Sequence, residues 1–198
     1  MTPNGLTPVG RATSADMPEA RGDVLLRQGL TQQAIQSYLD AVTIPATASL
    51  CLKLARCYDR IGNHSEACRW ALSIVDASDD YTTWQAGWTL FQRNAQRTAW
   101  PAARRVNVAI AGSYTTTQLG TLLRLAAARI GIQIDLYESP YGQYQQDIID
   151  SGSRLYRFSP DIVLLAVHEG DLHLSEFSSN PAEEVQTEIT RWTSLWNV

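Results

Sequence analysis

A shift of 33 residues lays one part of this chain onto another. Gly29 returns as Gly62, Ala34 as Ala67, Leu39 as Leu72 and Val42 as Val75. The same shift carries Ala55 to Trp88 and Tyr58 to Phe91. Residues 17 to about 100 show no strand alternation, so the repeated unit is a pair of short helices. Gly22, Leu25, Gly29, Ala34, Tyr38 and Ala41 form one unit; Ala55, Tyr58, Gly62, Ala67, Ala71 and Ile74 form the next. Small residues sit where paired helices must approach, large ones fill the gaps, and the glycines fall in turns that need a positive φ.

A period of about 34 residues is the tetratricopeptide spacing, so residues 17–100 are expected to form stacked helical hairpins. The segment YTTWQAGWTLFQRNAQR (81–97) reads as a helix that closes the stack. Such arrays need about three units to bury their faces. With two and a half here, Trp84, Trp88, Phe91 and Trp100 are candidates for packing on a following domain, or for a partner-binding groove. Residues 1–16 are polar, rich in Pro, Gly and Thr, and read as a disordered lead-in. His64 reads as an exposed turn residue. Cys51, Cys57 and Cys68 fit no zinc spacing and read as small buried hydrophobes in a reducing compartment.

The rhythm changes at TAWPAARR (98–105), where Pro101 breaks the helix. From Val106 on, strands alternate with helices. VNVAIAG (106–112) is an apolar strand. In TTTQLGTLLRLAAARIG, residues Leu119, Leu122, Leu123, Ala126 and Ile130 share one helical face, and Gly131 stops the helix. IQIDLYES (132–139) alternates as a half-buried strand. GQYQQDIIDSGSRLYRF is a short helix and a loop. PDIVLLAVHEGD (160–171) is the most apolar strand and suits the centre of a parallel sheet. NPAEEVQTEITRWTSLW (180–196) is a helix with Asn180 as cap and Pro181 in first position. The fold class is α/β: helical hairpins over residues 17–100, then a partial doubly wound parallel sheet over residues 106–198.

Ligands in such sheets bind beyond the carboxyl ends of the strands. Here those ends are Ser113-Tyr114, Ser139 to Gly142, and His168 to Asp171. Thr115 and Gln118 form a capping-box pattern, which leaves Ser113 free at the mouth. His168 and His173 flank the third strand end, and either could serve Ser113 as a base. Tyr137, Tyr141 and Tyr144 read as loop and core aromatics, Asp161 as a turn residue, and Asp147 and Asp150 as solvated. There is no G-x-G-x-x-G, no G-K-[ST] and no G-x-S-x-G. A net charge of -4 gives no field for nucleic acid or anionic membrane. No apolar run approaches the ~20 residues of a membrane span, and no signal peptide is visible, so a cytoplasmic location is expected.

The stretch from Val108 to Leu172 resembles the N-terminal region of FkbH-like proteins, of subfamily IIIC of the haloacid dehalogenase superfamily. The resemblance rests on the turn from Gly112 to Thr115, on YESPYGQYQQDI (137–148) and on LYRFSPDIVLLAV (155–167). It implies a domain similar to SGNH hydrolases, followed in the family by a phosphatase-like domain with D-x-D-x-T aspartates and Mg²⁺. It further implies loading of a glyceryl or related acyl unit, from a phosphorylated donor, onto an acyl carrier protein in polyketide assembly. This chain has no D-x-D, so no cofactor is expected on it. The sequence reads as truncated. An acyl carrier protein or a separate catalytic domain are the expected partners.

The resemblance also sets Ser113 where the hydrolase serine would be, with His168 and Asp171 as further catalytic candidates. Gly142 would stand for the glycine of the second block. His168-Glu169-Gly170-Asp171 falls on the third block, with Gly170 in the place of an oxyanion-hole Asn. The late block that supplies base and orienter has no counterpart. Gly112, Ser113, Thr115, Tyr141, Gly142, Gln143 and Asp171 would line a remnant or auxiliary ligand pocket. Three readings stay open: a non-catalytic accessory region, a diverged serine esterase or acyltransferase using Ser113 with His168 or His173, and a tetratricopeptide-type interaction module.

Overall fold

The computed structural model describes residues 17–43, 45–172, 174–175 and 177–196, with the backbone alone at 169, 195 and 196. The predicted lead-in and His173, one of the two proposed bases, lie outside the described residues. Two compact units divide the chain between Trp100 and Pro101.

The first unit holds α1 (Pro18–Arg27), α2 (Thr31–Asp40), α3 (Ala48–Arg60), α4 (His64–Leu72) and α5 (Tyr81–Thr98). Successive helices pack on one another. The two hairpin turns obey the 33-residue shift down to single hydrogen bonds. Gly29 and Gly62 have φ of 79° and 77°. Leu30 N–H donates to Leu25 O at one turn, and Asn63 N–H to Tyr58 O at the other. Both are the six-to-one bonds that close a helix over a left-handed residue. The core gathers Ala34, Ile35, Tyr38, Leu50, Leu54 and Cys57. Gly22 is buried under Tyr38, and a Cβ there would stand 2.5 Å from the ring. The shifted positions are Ala55 and Ala71, both fully buried.

Lys53 ties the first hairpin to the second, reaching Glu19 at 2.8 Å and Asp23 at 2.9 Å. Tyr38 donates to Asp23 at 2.7 Å. Burial alone would raise the Asp23 carboxyl, but the bonds from Lys53 and Tyr38 outweigh it and hold it below its ordinary range. The three cysteines are buried and free, and burial pushes the Cys68 thiol up to about 12. His64 departs from expectation. It is half-buried, and its Nδ1 shares a hydrogen bond of 2.7 Å with Oδ1 of the fully buried Asn94. An amide sealed under α4 needs a polar partner, and the first residue of that helix supplies it. Asp80 caps α5 by accepting from Thr83 N–H. Phe91 packs on Trp88 and Trp100, with ring centroids 5.9 and 6.0 Å apart.

The second unit carries β1 (Arg104–Gly112), α6 (Thr117–Arg129), β2 (Ile132–Glu138), α7 (Tyr144–Ile149), α8 (Arg154–Phe158), β3 (Ile162–Ala166) and α9 (Pro181–Trp196). The three strands form one parallel sheet in the order β2-β1-β3. That order corrects an expectation. Among the described residues β3, the most apolar strand, lies at an edge, and β1 is the centre. The buried run from Val108 to Gly112 belongs to a strand paired on both sides, whereas Ile162 to Leu165 remain exposed.

The core face of α6 also differs from the one expected. Leu119 and Ile130 are exposed, and Gly120, Leu125 and Ala127 are buried instead. Gly120 sets this rotation, because a Cβ there would meet Leu136 Cδ2 at 2.6 Å. The helix presses its bare backbone onto β2 and turns its leucines partly outward. Gly131 ends it at φ 80°, as expected.

Candidate functional site

β1 is the strand at which the chain's path over the sheet reverses, with β2 on one side and β3 on the other. Its carboxyl end is therefore the switch point where ligands of such sheets bind. Ser113 follows it directly and is half-buried. Three hydrogen bonds lock this corner. Ser113 N–H donates to Ala166 O at 3.0 Å. The Ser113 hydroxyl oxygen accepts from the main-chain amide of His168 at 2.9 Å. The His168 Nδ1 accepts from Gly170 N–H at 2.9 Å. Ser113 and His168 are thus neighbours, but the bond between them comes from the backbone, not the imidazole.

The chemistry that this permits is narrow. A serine nucleophile needs a base lone pair aimed at its hydroxyl and amide donors left for the oxyanion. Here the Ser113 amide is spent on a strand carbonyl. With Nδ1 accepting, the neutral ring carries its proton on Nε2 and offers no second lone pair. The corner is built as a clip from β1 to the turn after β3.

The capping box is not formed. Helix α6 begins at Thr117, its cap position is Thr116, and no side chain caps it. Thr115 is exposed. The buried Thr116 donates its hydroxyl to Glu138 at 3.0 Å, which binds the first loop to the end of β2. Gly112 makes room, since a Cβ there would stand 2.8 Å from the Thr116 methyl.

The other expected residues scatter. Tyr141 is 77 % exposed, Gly142 turns the loop at φ 70°, and Gln143 precedes α7. Asp171 accepts from Tyr144 at 3.3 Å. Tyr144 is buried and stacks on Trp192 at 6.3 Å. Burial, with the Asp171 carboxylate added, raises the Tyr144 phenol. Asp147, expected in solvent, is buried: it accepts from Tyr137 at 2.7 Å, and its carbonyl accepts from Ser153 at 2.7 Å. Burial first, then the Asp147 bond and charge, push the Tyr137 hydroxyl up to about 12. Asp150 accepts from Gly152 N–H in a turn, and Asp161 accepts from Asn107 N–H, extending the β1–β3 pairing.

Sequence reasoning missed the polar knot on α9. The buried Glu188 accepts from Trp192 Nε1 at 3.0 Å and from Arg191 Nε at 2.9 Å, and Arg191 also reaches Asp171 O at 3.0 Å. The Arg191 ring contact with Trp192 is 5.0 Å. The spacing of 188, 191 and 192 puts all three on one helical face, which was the available signal. Beside this knot opens an apolar cavity of about 240 Å³, walled by Leu172, Leu174, Val185, Ile189 and Trp192. None of the expected site residues lines it. Among the described residues no three His, Cys, Asp or Glu side chains gather as a metal ligand set. Nor is any described helix long and apolar enough to cross a membrane.

Residues 107–192 match the family model described as the FkbH N-terminal domain. Over these residues the sheet unit is similar to the FkbH N-terminal domain. No curated protein matches the chain. A crystal structure of the N-terminal part of the protein BF1531 from Bacteroides fragilis, described as containing a phosphatase domain complexed with Mg, is similar at 23% identity and a TM-score of 0.41. The similarity covers 49% of this chain and 26% of that one, so this chain spans about a quarter of its length.

Proposed function

We propose that this chain is a non-catalytic accessory region of an FkbH-like enzyme. The reaction served is the loading of a glyceryl or related acyl unit, from a phosphorylated donor, onto an acyl carrier protein. The catalytic, Mg²⁺-dependent step belongs to a phosphatase-like domain outside these residues. The carrier protein or that catalytic domain is the partner. One observation carries the non-catalytic reading: the Ser113 hydroxyl accepts from the His168 backbone amide while the His168 Nδ1 accepts from Gly170. Loss of a single oxyanion donor costs about 2.7–4 kcal/mol of transition-state stabilisation, and an unactivated serine loses its nucleophilic step as well.

A fluorophosphonate serine probe tests this directly. The purified chain is expected to stay unlabelled. Labelling that vanishes in Ser113→Ala overturns the accessory reading in favour of a serine esterase or acyltransferase. The partner is tested with immobilised carrier protein bearing its phosphopantetheine arm, which is expected to retain the chain. Equal retention by the bare matrix removes the carrier protein as partner.

A further inference from the structure

The 33-residue shift also carries charge. Arg27 returns as Arg60, and Arg60 as Arg93. Arg27 ends α1 and Arg60 ends α3, where a cation complements the carboxyl end of a helix. Arg93 lies before the last turn of α5, so the helix dipole does not explain why the position is basic three times. Ion pairs set these helices side by side in the order α1, α3, α5. Lys53 of α3 reaches back to Glu19 and Asp23 of α1, and Arg93 of α5 pairs with Asp59 of α3. Lys53, Arg56 and Arg60 follow the three-and-four spacing of one helical face, and Glu19, Asp23 and Arg27 do the same on α1. The carboxylates on this surface are engaged: Glu19 and Asp23 by Lys53, Asp23 also by Tyr38, and Asp59 by Arg93. Arg27, Arg56 and Arg60 are exposed and, among the described residues, make no hydrogen bond or ion pair. Unneutralised guanidinium groups therefore stand in a row across two adjacent helices, with Arg93 next in the row on the third.

We propose that this arginine row binds an extended acidic segment of a partner polypeptide, which crosses the helices with its carboxylates on Arg27 and Arg60. The spacing favours such an occupant. Packed helices stand about 8–10 Å apart and an extended chain advances about 3.3 Å per residue, so equivalent positions on neighbouring helices match every third residue of the segment. The chemistry favours it too, because a guanidinium group offers paired donors that fit the fork of a carboxylate. Arg56, one turn before Arg60, gives the segment a second donor on α3. The acids that could have neutralised the row from within the unit are already held by Lys53, Tyr38 and Arg93. The chain as a whole carries a net charge of -4, so no long-range field draws in polyanions such as nucleic acid, and recognition rests on the local row. This inference does not depend on the carrier-loading role.

Fluorescence anisotropy of the full chain with a labelled synthetic peptide tests this. The peptide is about twelve residues long, with Glu at every third position and Ser and Gly between. Half-saturation is expected below about 300 μM at low ionic strength, and binding at least about fivefold weaker in roughly 0.3 M NaCl, since exposed ion pairs are weak and screened. Arg27→Gln and Arg60→Gln are each expected to weaken binding about threefold, and the double variant about tenfold. These positions are exposed, so far-ultraviolet circular dichroism and the urea midpoint are expected to stay unchanged. Arg21→Gln, an exposed change on the side of α1 turned away from Glu19 and Asp23, is expected to bind as the unaltered chain does. A peptide of the same composition with its Glu residues in one block is expected to bind at least about threefold more weakly. No saturation by about 300 μM overturns the proposal, and so does binding that the double variant leaves intact. Equal affinity for the block peptide, or tighter binding of a single-stranded oligonucleotide than of the spaced peptide, overturns it in favour of a general polyanion contact.

Discussion

The two units bury their apolar residues by different means. In the helical unit the 33-residue repeat supplies each helix with a neighbour, and Tyr38, Leu54, Ala55, Ala71 and Ile74 reach zero exposure. In the sheet unit β1 is buried from Val108 to Gly112, and its more apolar neighbour β3 is exposed from Ile162 to Leu165. The lesson is about pairing, not composition. A helix stripe is satisfied by the next hairpin in the chain, whereas a strand edge is satisfied only by another strand. The first unit should therefore answer to packing substitutions, and the second to changes in its polar clips.

The largest effect is expected inside the repeat. The first hairpin fills one site with Gly22 and Tyr38, and the second fills the shifted site with Ala55 and Ala71. Tyr38→Ala should cost about 3–5 kcal/mol, since it empties a closed core site. It also leaves Asp23 without its phenol partner. Gly22→Ala alone should cost about 1–3 kcal/mol, because the new Cβ meets the Tyr38 ring. In the Tyr38→Ala background the same Gly22→Ala change should turn neutral or stabilising, by up to about 1 kcal/mol, through helix propensity. Urea titrations of the four proteins measure the coupling. Simple additivity would show that the two hairpins do not trade volume in this way.

Next in size is the clip between β2 and α7. Asp147→Ala should cost about 1–3 kcal/mol by leaving the Tyr137 hydroxyl without its acceptor. The same contact sets a pH dependence. The Tyr137 phenol is raised to about 12 in the folded chain, so its contribution is complete below the ordinary tyrosine value of about 10. It is lost as pH rises from there towards 12. Stability measured between pH 9 and 12 should fall, and Tyr137→Phe should flatten part of that fall. An unchanged slope would mean that other groups govern the alkaline limb.

How far the sequence disclosed all this follows the same division. The 33-residue shift, the two turn glycines and the α5 closing helix were legible because they depend on neighbours in the chain. The order of strands was not, because an apolar run reports that a strand can be covered on both faces, not that it is. The face of α6 misled for a related reason: counting leucines points to the core only where no glycine lets the helix backbone come closer. At the site, Ser113 stands where β1 ends, as its position promised. Its partners could not be read, since they are a main-chain amide and a main-chain carbonyl that carry no letter in the sequence. Thr116 was hidden by the better-looking cap at Thr115, and Asp147 by its polar neighbours.

Ser113→Ala sharpens this point about clips. The hydroxyl accepts one backbone hydrogen bond at a half-buried corner, so its loss should cost about 0.5–1.5 kcal/mol in the sheet unit and leave the helical unit untouched. Amide exchange at His168 should accelerate. Thermal unfolding followed separately for each unit, by tryptophan variants that report on one alone, distinguishes the two. A loss of stability in both would mean that the corner does more than hold β1 to the turn after β3.

The smallest effect is electrostatic and lies in the helical unit. The Asp23 carboxyl is held below its ordinary value of 3.8 by Lys53 and Tyr38, which outweigh the opposing effect of burial. A depressed carboxyl contributes stability that is complete above that value and is lost as pH falls through the lower, folded one. The side chains of Lys53 and Asp23 are 25% and 44% exposed, so solvent screens the pair and the gain is modest. Lys53→Met keeps an aliphatic side chain of similar length and removes the charge, and with it the ammonium's contact with the Tyr38 ring at 5.6 Å. The difference in stability between the unaltered chain and Lys53→Met should therefore be steady at pH 5 to 7 and shrink below about pH 4. It should also shrink in high salt at neutral pH, as a screened ion pair does and a packing contact does not. A gap that holds constant under both conditions would assign the role of Lys53 to its methylene stem, and would make the helical unit a structure governed by packing throughout.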